Sequence, residues 1–170
     1  MRKSAFWAVY LLLVIVQLLL SNYFTFTPYV MLSILPVMVL SMPTRVGTVP
    51  AMLIAFLTGL TVDFLSEGLI GLNALALVPV ALIRNGVIGL VFGQELFARR
   101  EDFSIRKNGL PQVLLALLIC QILFTAVYVW ADAAGTRPFW FNAARFGASL
   151  AAGILVSLPT LEVLAPDTRK

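Results

Sequence analysis

Long apolar runs separated by short polar links set the layout of this chain. Between Arg45 and Arg84 the one substantial break is Gly59-Leu-Thr-Val-Asp63-Phe-Leu-Ser66-Glu67-Gly68-Leu-Ile-Gly71-Leu-Asn73. An acid ends one membrane-length run there, a glycine-containing turn follows, and a second membrane-length run begins. An α-helix needs about 20 apolar residues to cross a hydrocarbon core about 30 Å thick. Segments that meet or approach this length cover residues 5–24, 29–42, 46–65, 69–92, 110–130 and 141–164. The pattern predicts an all-α polytopic membrane protein of about six transmembrane helices in one integral membrane domain, 1–170.

Individual breaks refine that layout. Arg2 and Lys3 precede the first segment, as they would a signal peptide. Ser21-Asn22-Tyr23-Phe24 offers no small-x-small cleavage site, so the segment is expected to stay as an uncleaved helix. The second segment is short and carries Pro36, which predicts either a tilted, kinked crossing or a partly re-entrant one. Pro79 is expected to kink the fourth segment and Arg84-Asn85-Gly86 to interrupt it, while Pro111 suits the first turn of the fifth.

Composition fixes the class. The chain is 61% hydrophobic and 12% charged, with a mean hydropathy of +0.98. Soluble domains hold roughly 45–50% apolar and about 25% charged residues. The net charge of +4 reads as topology rather than nucleic-acid binding, because the basic residues fall in links and termini. With the N-terminus inside, Arg2, Lys3, Arg45, Arg99, Arg100, Arg106, Lys107, Arg169 and Lys170 lie on the cytoplasmic side and only Arg137 lies outside. This bias predicts an even number of crossings with both termini cytoplasmic. Arg99, Arg100, Arg106 and Lys107 belong to the main polar loop, 94–108, and are expected to anchor it in the cytoplasm. Arg84, about 15 residues into the fourth helix, is expected to snorkel to the same side. Arg145 is expected to do the same at the opposite surface.

The inventory of reactive groups is short. No histidine is present, and the single cysteine, Cys120, sits in an apolar run and reads as packing. No glycine-rich phosphate loop occurs. The expectation is no enzyme, no cofactor and no metal. Asp63 is the residue that most needs explaining, since a carboxylate at a helix centre costs about 2.5–3.5 kcal/mol on insertion. Ala55, Gly59, Asp63 and Ser66 share one helical face. Asp63 is expected to tie the turn formed with Ser66, Gly71 and Asn73, or to pair with Arg137 or Arg145. A ligand or proton site there is the sharper alternative. A second stripe of small residues, Ala144, Gly147, Ala148, Ala151 and Ala152, suits close helix packing, inside the bundle or against a partner. Inside the bundle is the simpler expectation.

Pro43-Thr44-Arg45-Val46-Gly47-Thr48, followed by Gly59-x-x-x-Asp63-x-x-Ser66-x-x-x-x-Gly71-x-Asn73-Ala74-Leu75-Ala76, resembles the core of the MreD family of bacterial rod-shape determination proteins. The resemblance covers about Pro43 to Arg84. Elsewhere it extends to length, basic N-terminus and hydropathy. Two positions after the turn glycine the family often carries His or Arg, and this chain has Asn73. The resemblance implies a non-enzymatic, multi-pass protein of the bacterial cytoplasmic membrane that links the cytoskeleton to peptidoglycan synthesis. Its implied partners are MreC and, in the wider complex, MreB, RodA and a class B penicillin-binding protein, besides membrane lipid. The family also resembles, in fold, the substrate-binding subunits of energy-coupling factor transporters. That makes a vitamin-type small-molecule subunit the rival reading, with Asp63, Asn73, Trp130, Trp140 and Asn142 as its sparse set of outer-half candidates. The candidate helix-packing or partner faces are Ala55 with Gly59, and Ala144 with Gly147 and Ala148.

Overall fold

The computed structural model describes residues 3–23, 30–66, 69–93 and 109–164. Among these residues the chain forms α1 (Lys3–Tyr23), α2 (Leu35–Leu40), α3 (Thr48–Leu65), α4 (Leu72–Phe92), α5 (Leu110–Ala133) and α6 (Phe139–Leu164). All but α2 are long and apolar enough to cross a membrane. The loop 94–108, with Arg99, Arg100, Arg106 and Lys107, lies outside the described residues.

The second segment departs from a membrane-length helix. Residues 30–34 are non-helical, and only the six residues of α2 are helical. Pro36 sits in the first turn of α2, where its missing N–H costs nothing. Every residue of α2 is buried, and α2 touches each of the five long helices. The bundle is therefore built around this short element. Non-helical backbone at membrane depth must find its hydrogen bonds inside the protein, and here side chains supply them. Ile34 N donates to Gln17 Oε1 at 2.8 Å, and Gln17 Nε2 donates to the Leu32 carbonyl at 3.2 Å. Met31 N donates to Ser149 Oγ on α6 at 2.9 Å.

The long helices start and stop close to where hydropathy places them, with polar ends trimmed or extended. α3 begins at Thr48 behind Gly47, α4 begins at Leu72 behind Gly71, and α5 continues three residues past Trp130. Arg84-Asn85-Gly86 does not interrupt α4, which runs through both that run and Pro79. Successive helices α3, α4, α5 and α6 pack side by side. The closest approach is between α3 and α4: a Cβ on Gly59 would lie 2.5 Å from the Cα of Ala74. Only glycine permits that contact, and it is the packing mode by which membrane helices associate. Tyr10 Oη and Thr58 Oγ1, 3.0 Å apart, tie α1 to α3.

Candidate functional site

Asp63 lies two residues from the end of α3 and is 2% exposed. Its carboxylate faces the start of α4. Oδ1 accepts from the Asn73 backbone N–H at 3.0 Å and from Asn73 Nδ2 at 2.8 Å. Oδ2 accepts from Gly71 N at 3.0 Å and Ala74 N at 3.2 Å. The first N–H groups of a helix have no partner within it and carry partial positive charge. A carboxylate from the preceding helix answers both needs and acts as an N-cap in trans. Gly71, at φ 94°, supplies the left-handed turn that aims those N–H groups at Asp63. Ser66 closes α3 instead, its Oγ donating to the Val62 carbonyl at 2.7 Å. Glu67 and Gly68 lie outside the described residues.

The arginines expected as partners of Asp63 are engaged elsewhere. Arg137 Nη1 donates to Asp132 Oδ2 at 2.8 Å, and Arg145 Nη1 donates to the same oxygen. Asp132, near the end of α5, thereby holds the start of α6 much as Asp63 holds the start of α4. Four of the six helices thus form two hairpins, α3–α4 and α5–α6, each latched by one aspartate.

Arg84 does not snorkel. It is 1% exposed. Its Nε donates to the Leu40 carbonyl at 3.3 Å, Nη2 donates to the Met42 carbonyl, and Nη1 reaches Asn85 Oδ1 at 3.4 Å. These carbonyls sit at the C-terminal end of α2, where a cation is favoured. Arg84 therefore anchors α2 rather than the cytoplasmic surface, and depth alone could not reveal that. Next to it, Asn85 Nδ2 donates to Thr48 Oγ1 at 2.9 Å, fixing the start of α3.

The two small-residue stripes have opposite fates. Ala55 and Gly59 are both buried, Gly59 against the start of α4, so this face is not open to a partner. On α6 the expectation of internal packing is reversed. Ala144, Gly147 and Ala151 are exposed, and a Cβ on Gly147 would meet nothing within 4 Å. Ala148 and Ala152 lie half-buried beside them. The outer-half candidates also separate. Asp63 and Asn73 bond to one another, Asn142 is buried, and Trp130 and Trp140 point away from the protein, Trp140 with 81% of its surface exposed. They do not line one cavity.

Sequence reading missed Gln17, Asp132, Ser149 and Asn85. A lone Gln in an apolar helix was the available signal, because such a residue must find a partner within the bundle.

These features define an all-helical, multi-pass membrane protein. No family model, no curated protein and no solved structure matches the chain.

Proposed function

We propose that this chain is a non-enzymatic membrane scaffold of the bacterial cell-elongation machinery, acting through a helix face on a partner membrane protein. The resemblance of the Pro43–Ala76 run to the MreD family supports the assignment and points to MreC as the partner. MreB, RodA and a class B penicillin-binding protein would then lie in the wider complex. The observation that carries the reading is the outward stripe on α6. Ala144, Gly147 and Ala151 are spaced by three and four residues, share one face and are exposed. In a bilayer, apolar burial gives helices no reason to associate, so close backbone approach over small residues decides where they pair. The buried ionic groups, in contrast, serve the fold: Asp63 caps α4 and Arg84 holds α2.

Replacing Ala144 and Gly147 with Leu tests this. Both positions are exposed, and an added Cβ at Gly147 meets nothing within 4 Å, so the variant is expected to insert, fold and keep its melting temperature within about 2 °C. Co-purification with MreC should fall at least about tenfold, the size of a packing loss near 1.4 kcal/mol, and cells should round up. Wild-type co-purification would show that this face is not the partner surface. A specific water-soluble molecule retained through purification would favour the transporter-subunit reading.

A further inference from the structure

We propose that the outward row of α6 ends in a contact point for a basic side chain of the partner helix, with Glu162 as its carboxylate. The inference rests on the reading of α6 as the partner face and names the chemistry that the partner must bring. Trp140, Ala144, Gly147, Ala151, Leu155 and Glu162 are all exposed. They follow one another at spacings of three, four or seven residues and so form one continuous row along the helix. Glu162 stands eighteen residues after Ala144, about five whole turns, and so lies on the same line.

Two acceptors lie at the foot of this row, and no side chain in it from Ala144 to Glu162 can donate to them. The Glu162 carboxylate enters no hydrogen bond or ion pair among the described residues. Pro159 lies inside α6 and has no N–H, so the Leu155 carbonyl loses the donor that another residue at 159 would supply. Leu155 and Pro159 are both exposed, Leu155 with 70% of its surface, which puts that carbonyl on the outward side. The Thr160 hydroxyl does not replace the lost donor, because it goes to the Val156 carbonyl at 2.8 Å. A carbonyl facing hydrocarbon without a donor is costly. A carboxylate and a carbonyl so close on one face are answered together by Lys or Arg, which bring several N–H donors and a positive charge.

Depth places the pair where such a side chain is found. From Trp140 to Glu162 the helix rises about 33 Å at 1.5 Å per residue, slightly more than a hydrocarbon core of about 30 Å. With Trp140 at one headgroup level, Glu162 reaches the other, the cytoplasmic one when both termini are inside. Membrane proteins carry their excess of Lys and Arg on that side, so a partner helix crossing over Gly147 would bring a basic flank to Glu162. A second copy of this chain does not fit. Two copies in one membrane share an orientation, and pairing them through this row sets Glu162 against Glu162. The occupant is therefore a helix of a different protein, with Lys or Arg at its cytoplasmic end.

The test is co-purification with MreC in mild detergent at about 50 mM and about 500 mM salt, a range over which the screening length shrinks about threefold. The wild-type yield should fall about threefold between the two. Glu162→Gln removes the charge at an exposed position, so it should fold as the wild type does. It should lose about threefold at the lower salt and show no further salt dependence. Glu162→Lys should lose about tenfold, and replacing the basic residues at the cytoplasmic end of the MreC helix by Glu, one at a time, should restore the yield at one position. An unchanged yield and salt dependence in Glu162→Gln overturns the proposal, as it would if Arg169 or Lys170 of the same chain met the carboxylate. The paired change Ala144→Leu and Gly147→Leu separates the two readings. If it loses MreC while both Glu162 variants keep it, the partner face stands and the basic contact falls. If none of them loses MreC, both fall. A disulfide between two copies carrying Ala151→Cys in a Cys120→Ser background would give the row to a second copy and also overturn the proposal.

Discussion

At the scale of single residues, one acid does the work of several backbone partners. Asp63 receives four hydrogen bonds, two on each carboxylate oxygen. Asp63→Asn preserves the acceptor for Asn73 but places an amide NH2 against the N–H groups of Gly71 and Ala74. Asp63→Leu leaves all four donors without an acceptor. Each buried donor left unpaired costs about 1–3 kcal/mol, so thermal stability in detergent should fall in the order wild type, Asn, Leu, with Asn near the midpoint. Equal losses would mean that the interaction of charge with the α4 terminus outweighs the individual hydrogen bonds. The role of Asp63 was legible in the sequence because an acid followed by Gly71 and Asn73 is turn chemistry in an otherwise apolar stretch. Arg84 was not. Its depth in α4 is compatible with snorkelling, and the carbonyls of Leu40 and Met42 that hold it come from more than forty residues away.

At the scale of elements, hydropathy located the five long helices because each must be apolar over membrane length whatever it packs against. It could not resolve the second segment, since irregular backbone and a helix are equally apolar when both are buried. What keeps residues 30–34 non-helical is a pair of partners distant in sequence, Gln17 and Ser149. The direction of the α6 stripe was hidden for a related reason. In a bilayer both faces of a helix are apolar, so a stripe of small residues does not say whether it points to lipid or to protein. Gln17→Leu tests the role given to α1. It removes the acceptor of Ile34 N and the donor to the Leu32 carbonyl while leaving the helix apolar. The amides of Met31 to Ile34 should then exchange with solvent deuterium about tenfold faster, in line with a local cost of about 1–2 kcal/mol. Exchange unchanged in that segment would mean that burial alone holds it non-helical.

At the scale of the whole molecule, topology turns on that same segment. The α3–α4 hairpin is latched at Asp63 and the α5–α6 hairpin at Asp132, so four crossings return the chain to the side from which α3 starts. Whether the N-terminus shares that side depends on residues 24–47. Their path must reach Thr48, which lies beside Asn85, thirteen residues into α4 and about 20 Å from the Asp63 end at 1.5 Å per residue. The basic residues decide the expectation: Arg2 and Lys3 carry the same sign as Arg45, Arg99, Arg100, Arg106 and Lys107, and only Arg137 falls in a link on the other side. The link between α1 and α3 should therefore complete a crossing, with both termini cytoplasmic. Single cysteines at Ser4, Ser104 and Thr136 in a Cys120→Ser background, exposed to an impermeant thiol reagent on intact cells, read this out. Thr136→Cys should label, while Ser4→Cys and Ser104→Cys should label only after the membrane is opened. Labelling of Ser4→Cys from outside, with Ser104→Cys still protected, would make the second segment re-entrant and the number of crossings odd. Labelling of Ser104→Cys from outside would reverse the orientation of the whole bundle, and with it the side on which any cytoskeletal partner is met.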